Sequence, residues 1–318
     1  MTNKMILDVD TGIDDAMALA YALGDKNIDL IGVTGTYGNV YTDQGVQNVL
    51  NLLHMLNRDD IPVFAGLDHA IAKDKFDRLE ISARIHGDNG VGQVNVETSP
   101  NKMETTSAID FIIESAYKYE NELVVVATGP MTNIASAIKK DPTITKKINQ
   151  IVLMGGALTV PGNVNQFAEA NIFQDPEACK YLFESDANVV MVGLDVTNPT
   201  VLKYEDTAKW RELGTTSGII FADMVDYYID IYLELLPHLN GCALHDPSAV
   251  VAAMNPELFT MLPIYMTVET EGPSRGRTIG DPNRVHEKNP NVKVCIGADK
   301  EAVVSTICST LGGLFAQN

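Results

Sequence analysis

Cysteine, basic residues and long apolar runs are all scarce in this 318-residue chain, and each scarcity excludes a class of protein. The four cysteines, Cys179, Cys242, Cys295 and Cys308, lie far apart and form no CxxC pair. Neither a zinc knuckle nor a disulfide framework is therefore expected, and reduced thiols in a cytoplasmic protein fit best. Apolar stretches such as LVVVA (123–127) and NVVMVGL (188–194) fall far short of the roughly 20 residues that a bilayer span needs, so no transmembrane helix is expected. The first apolar run, MILDVD, begins within five residues of the start, and no secretory leader is expected either. Lys and Arg number 23 against 42 Asp and Glu, a formal net charge of −19. That excess repels phosphate backbones and anionic lipid, which disfavours nucleic-acid and membrane partners without selecting any substrate.

What is present is an ordinary globular composition, 45% hydrophobic and 20% charged. Short, near-continuous apolar runs alternate with amphipathic stretches, the pattern of parallel strands covered on both faces by crossover helices. MILDVD (5–10), DLIGVTGTYG (29–38), ELVVVATG (122–129), QIVLMGG (150–156) and NVVMVGL (188–194) read as strands. Residues 14–23, 42–56, 107–119, 131–140 and 175–185 read as helices, with Thr42 and Ser107 as N-caps and Pro130 and Pro176 near first helical positions. The last third adds a helix over 216–236, a helix after Asp246, strand-like runs near 262–268 and 291–296, and a closing helix over 299–314. The expected fold is a Rossmann-like, doubly wound α/β sheet, mainly parallel, with extra C-terminal helices. With no repeat, low-complexity tract or linker, residues 1–318 are expected to form a single domain. Two polar segments, 66–100 and 155–173, follow strands and are long enough to wall a site beyond the strands' carboxyl ends.

The first strand runs through Asp8, Asp10, Asp14 and Asp15 into a helix. On a strand Asp8 and Asp10 would share a face, and Asp14 and Asp15 fall in the first helical turn beside its positive end. Capping explains one carboxylate, not four; all-oxygen ligation of a hard cation, Ca²⁺ or Mg²⁺, explains the set. An EF-hand is excluded, because counting from Asp8 its glycine and glutamate positions hold Ile13 and Leu19. A DxD-type Mg²⁺-dependent phosphatase with Asp8 as nucleophile matches in part, Gly12 standing where Thr or Val is usual. Near the other end, His245 and Asp246 precede a helix with Pro247 at its start; capping by Asp246 explains that pair as well as function does. ATGP (127–130) and MGG (154–156) offer a carbonyl and a close backbone approach at strand ends. The loop from Pro161 to Asn171 is crowded with amides and carboxylates, which suit a polyhydroxylated ligand such as a sugar.

Together these motifs closely resemble the inosine-uridine-preferring nucleoside hydrolase family, in its order, from Asp8 to past Asp246. The resemblance implies hydrolysis of the N-glycosidic bond of purine or pyrimidine ribonucleosides, such as inosine or uridine, to ribose and free base. It implies a Ca²⁺ ion held by Asp10, Asp15, Asp246 and the carbonyl of Thr128, and a Ca-bound water activated by Asp10. Asp14, Asn39, Asn163, Glu169 and Asn171 match ribose-binding residues, and Met154 matches one that lines the sugar. His245 matches the acid that protonates the departing base; His86 matches a second histidine beside it. Tyr228 and Tyr232 share a helix face near the base, with Tyr227 offset, and periodicity alone leaves open which points inward. Ala170 stands where the family commonly has an aromatic residue, and GNVNQF replaces a GNVTP-like run. A homodimer or homotetramer in the cytoplasm is the implied assembly. A non-catalytic ribose- or nucleoside-binding protein is the other alternative, disfavoured because binding alone requires neither Asp10 nor His245.

Overall fold

The computed structural model describes residues 2–318. Its strands, in chain order, are β1 (Asn3–Val9), β2 (Ile28–Gly35), β3 (Val63–Ala65), β4 (Leu123–Ala127), β5 (Gln150–Met154) and β6 (Val189–Val192). Then follow β7 (Val201–Leu202), β8 (Cys242–Ala243), β9 (Phe259–Ile264), β10 (Met266–Val268), β11 (Thr278–Gly280) and β12 (Val292–Ala298). Eight of them form the central sheet in the order β3-β2-β1-β4-β5-β6-β12-β9, while β7 pairs with β8 and β10 with β11 in two small ribbons. Every neighbour in the central sheet is parallel except β9 against β12.

The helices are α1 (Ile13–Gly24), α2 (Thr42–Met55), α3 (Glu80–His86), α4 (Ala108–Tyr119), α5 (Thr132–Lys140) and α6 (Ala170–Gln174). They continue with α7 (Pro176–Glu184), α8 (Leu194–Thr197), α9 (Tyr204–Glu212), α10 (Thr216–Leu235), α11 (Asp246–Met254) and α12 (Lys300–Phe315). Because side chains alternate along a strand, β1 sends Met5, Leu7 and Val9 into one core and Ile6 into the other. β4 does the same, Val124 and Val126 against Val125 and Ala127. The first core is closed by α1, α2, α10, α11 and α12, the second by α4, α5 and α7. Each such buried Val or Leu contributes about 1.5–3 kcal/mol relative to exposure, which is why these strands read as unbroken apolar runs.

The doubly wound α/β architecture expected from the sequence is the one found. The chain leaves β1 for β2 and β3 on one side and returns to β4 on the other, so β1 and β4 straddle the point where strand order reverses. A crevice beyond the carboxyl ends of that strand pair is where such sheets bind ligands. The strand ends differ from the sequence reading for a related reason. β1 stops at Val9, β2 at Gly35, β4 at Ala127, β5 at Met154 and β6 at Val192. The residues that follow turn out of the sheet and wall the crevice.

Other boundaries also move. Ser107 caps α4 as expected, accepting from Asp110 N. Thr42 does not cap: Tyr41 occupies that position, and the Thr42 hydroxyl donates to the Leu67 carbonyl instead. Pro130 lies outside α5, which Met131 precedes, whereas Pro176 opens α7. The segment 66–100 contains α3, and the run near 262–268 divides between β9 and β10.

Candidate active site

Beyond β1 the chain passes through Asp10 and Thr11 to Gly12, which precedes α1. Thr11 has φ +27°, a conformation that costs a β-branched residue of the order of 1–3 kcal/mol and recurs at functional sites. The turn places Asp14 and Asp15 in the first turn of α1, beside its positive end. Asp246 is the first residue of α11, with His245 in the capping position, so capping does not account for its carboxylate. Carboxylate oxygens of Asp14, Asp15 and Asp246 lie within 4.8 Å of one another. Asp10 adjoins this trio through a contact with Asp15. It is further held by Asn39, whose backbone N–H (2.8 Å) and side-chain amide (3.1 Å) both donate to it. Gly38 makes that approach possible, because a Cβ there would sit 1.9 Å from Asp10 Oδ2.

All four carboxylates are buried, and no Lys or Arg among the described residues pairs with any of them. Burial first, then mutual repulsion, pushes Asp14 up to about 7 and Asp10 and Asp246 well above the usual carboxylate range. Burial also raises Asp15, against hydrogen bonds from Thr128 Oγ1 (2.6 Å) and Gly12 N (2.7 Å). Asp14 Oδ1 has no hydrogen-bond partner. Clustered, buried, all-oxygen donors with one orphaned acceptor fit a hard divalent cation. Of the residues the resemblance implied as metal ligands, Asp15 and Asp246 belong to the compact trio. Asp10 stands beside it, and Asp14 completes it.

Above the carboxylates opens a cleft of about 510 Å³, of a size suited to a small organic ligand. Its inner walls include Asp14, Asn39, Thr128, Met154, Glu169 and Asn171. Glu169 is locked by three backbone donors, Asn171 N (2.9 Å), Gly156 N (2.9 Å) and Ile172 N (3.2 Å). Burial nonetheless leaves its pKa raised. Asn171 donates its amide to the carbonyls of Thr128 (2.7 Å) and Met154 (3.1 Å), which tells its oxygen from its nitrogen. Asn163 accepts from Ala170 N (3.0 Å) with its oxygen, so its amide N–H groups face away from that bond.

At the outer end a chain of hydrogen bonds crosses the wall. His245 Nδ1 contacts Thr197 Oγ1 at 2.8 Å and Nε2 contacts the Tyr232 hydroxyl at 2.7 Å. Tyr232 meets the Tyr228 hydroxyl at 3.4 Å, and Tyr228 donates to Asp14 Oδ2 at 3.3 Å. The helix-face ambiguity is thereby resolved: Tyr228 and Tyr232 line the cleft, and Tyr227 donates to the Arg84 carbonyl outside it. His86 also lines the cleft rather than the surface, its Nδ1 accepting from Ile13 N at 3.1 Å. Burial lowers His86 to about 3 and His245 to about 4, so both rings are neutral at pH 7.

Asp8 behaves differently from its motif neighbours. Since β1 ends at Val9, Asp8 and Asp10 do not share a strand face. Asp8 is fully buried in the sheet, its Oδ1 accepting from Thr34 Oγ1 (2.5 Å) and Asn133 Nδ2 (2.8 Å). Core donors hold it away from the carboxylate trio and it does not line the cleft, which disfavours the aspartyl-phosphate alternative. Sequence reasoning missed Thr197 and the apolar outer wall of Ile81, Ile85, Leu235 and Leu236. Only the i, i+4 spacing of Ile81 and Ile85 signalled any of these.

Comparison with known proteins agrees with this geometry. A model of the inosine-uridine preferring nucleoside hydrolase family matches residues 5–305. A probable uridine nucleosidase 2 of Arabidopsis thaliana is 38% identical over 315 residues, covering 97% of both chains. A pyrimidine-specific ribonucleoside hydrolase, RihA, of Escherichia coli is 33% identical, covering 98% of this chain and 99% of its own. Among solved structures, a purine-preferring ribonucleoside hydrolase from Gardnerella vaginalis superposes with a TM-score of 0.98 at 52% identity, covering 99% of this chain and all of that one.

Proposed function

The chain belongs to the inosine-uridine preferring nucleoside hydrolase family, and from that premise we propose that it hydrolyses ribonucleosides to ribose and free base with Ca²⁺ as its cation. The observation that carries the reading is the packing of Asp14, Asp15 and Asp246 within 4.8 Å at a cleft that Tyr232 and His245 also line. Asp10, Asp15, Asp246 and the Thr128 carbonyl, with Asp14 adjoining, would hold the ion. Bound there, Ca²⁺ would supply a Lewis acid that orients a sugar diol and lowers the pKa of a water.

The chain's own residues supply the rest. Asn39 fixes both oxygens of Asp10, so one carboxylate is aimed to accept the water's proton as its oxygen bonds to C1′. Asp14, Asn39, Asn163, Glu169 and Asn171 hold the ribose hydroxyls, and Met154 packs along the sugar. As the C1′–N bond breaks, positive charge grows on the sugar and the surrounding carboxylates favour it. The departing base takes a proton at nitrogen from the hydrogen-bonded His245–Tyr232 pair. The two groups lie 2.7 Å apart, so the proton given up is shared between them, and solvent restores it after release. Burial lowers the pKa of His245 and raises that of Tyr232, so the pair rather than either group alone is the donor. Tyr228 and His86 flank the base.

The same reading extends to residues 1–318 as one catalytic domain and to a homo-oligomer, dimer or tetramer, in the cytoplasm; family membership is its support. No helix among the described residues is long and apolar enough to cross a membrane. Ribose and base release from inosine and uridine, abolished by EDTA and restored by Ca²⁺, tests the proposal; activity that survives chelation would overturn the role of the cation.

A further inference from the structure

Arg78 makes an unusual set of contacts for an arginine in so acidic a chain. Arg58, Arg84, Arg211 and Arg284 each pair with a carboxylate. Arg78 instead spends its guanidinium on main-chain carbonyls: Nε donates to Asn39 O (2.5 Å), Nη1 to Asp88 O (3.0 Å) and Nη2 to Gly87 O (2.8 Å). A planar fork spreads its donors over three nitrogens and so bridges carbonyls set further apart than the single nitrogen of an ammonium reaches.

These three acceptors join two parts of the cleft. Gly87 and Asp88 follow α3 while Arg78 precedes it, so the side chain closes residues 78–88 into a loop around that helix. At seven residues α3 is too short to persist alone and depends on such ties. It brings Ile81, Ser82, Ile85 and His86 to the cleft. The third acceptor belongs to Asn39, whose N–H groups hold Asp10 and reach Asp15.

We propose that Arg78 is a positioning residue that docks α3, the wall facing the base, onto Asn39. Asn39 keeps its own bonds to Asp10 and Asp15 when Arg78 is lost, so the floor of the site stays aligned. What loosens is the wall, and with it the substrate contacts made equally in ground and transition states. Such a loss raises KM and spares kcat.

This inference rests on the nucleoside hydrolase reading, and the two fail separately: a wild-type enzyme that releases no base overturns the reading, whereas an active wild type allows Arg78 to be judged alone. Steady-state kinetics of Arg78→Ala on inosine and uridine should show KM raised at least about tenfold, with kcat within about threefold of wild type. Millimolar guanidinium chloride should bring KM back toward the wild-type value. Hydrogen exchange should quicken in 80–88 and not in β1 or β4. Arg78→Lys, which keeps the charge but not the fork, should show the same KM defect to a smaller degree, and decides the matter if Arg78→Ala does not fold. A KM within about twofold of wild type in the variants, whatever their melting temperature, overturns the proposal, as does a fall in kcat at unchanged KM.

Discussion

The Tyr232 hydroxyl lies 2.7 Å from His245 Nε2, while Nδ1 of the same ring contacts Thr197 at 2.8 Å. Burial lowers the ring's pKa to about 4 and raises that of the phenol, so the proposed acid is the pair joined by this bond. Tyr232→Phe should therefore lower kcat/KM for inosine or uridine by about 10²–10⁴-fold, the usual worth of a positioned general acid. p-Nitrophenyl riboside, whose leaving group departs as a stable anion, should lose less than about tenfold. Equal losses on both substrates would take the Tyr232–His245 pair out of base protonation.

Asp10 is the carboxylate that Asn39 orients with two donors. Asp10→Asn removes the proton acceptor and should cut ribose release by at least about 10²-fold. It also takes one carboxyl out of a cluster in which burial raises the pKa of every member and repulsion adds to it at Asp10, Asp14 and Asp246. In EDTA the variant should melt at or above the wild-type temperature. Reducing-sugar assays and thermal melts check the two halves, and an active variant would remove Asp10 from catalysis.

The same cluster sets a pH dependence. Metal-free, the folded chain keeps protons on Asp14, up to about 7, that the unfolded chain loses above about pH 4. Folded pKa values above unfolded ones mean that this contribution to stability is lost as pH rises through that window. A cation competes for the same oxygens, so its stabilising effect must grow over the same range. Thermal melts with Ca²⁺ and with EDTA should differ little at about pH 5 and by several degrees at about pH 7.5. A difference that stays flat or shrinks with rising pH would contradict the site.

Gly38 offers a test by geometry alone. A methyl group there would lie 1.9 Å from Asp10 Oδ2, so Gly38→Ala should displace Asn39 from Asp10 and cost at least about tenfold in kcat. Gly313, in α12 with nothing within 4 Å of its would-be Cβ, is the control. Gly313→Ala should leave kcat unchanged and raise stability by about 0.5–1 kcal/mol. Similar kinetics for the two variants would deny Gly38 its role.

Much of this was legible before any coordinate. The unbroken apolar runs disclosed a parallel sheet because β4, β5 and β6 are covered on both faces. Asp10, Asp14, Asp15, Thr128 and Asp246 stood out because each sits where a strand ends or a helix begins, and local spacing fixes those positions. What local spacing does not encode stayed hidden. Thr42 is drawn from capping by Leu67, and Thr197 reaches His245 across 48 residues. α3 lies in a polar segment with only Ile81 and Ile85 to mark a period, and its anchor is Arg78 on carbonyls elsewhere in the chain. Asp8 and Asp10 look equivalent in sequence, yet the strand ends between them, so Asp8 meets Thr34 and Asn133 in the sheet while Asp10 meets Asn39 and Asp15 beneath the cleft.

The relatives divide between a name that prefers purines and names that specify pyrimidines, so the central claim is best tested on both. Purified protein should be given inosine, adenosine, uridine, cytidine and xanthosine in turn, with Ca²⁺ and no phosphate, and products quantified as kcat/KM for each. The account predicts equimolar free base and ribose from at least one of them, lost on chelation. Intact nucleosides throughout, or cleavage that requires phosphate and yields ribose 1-phosphate, would contradict it.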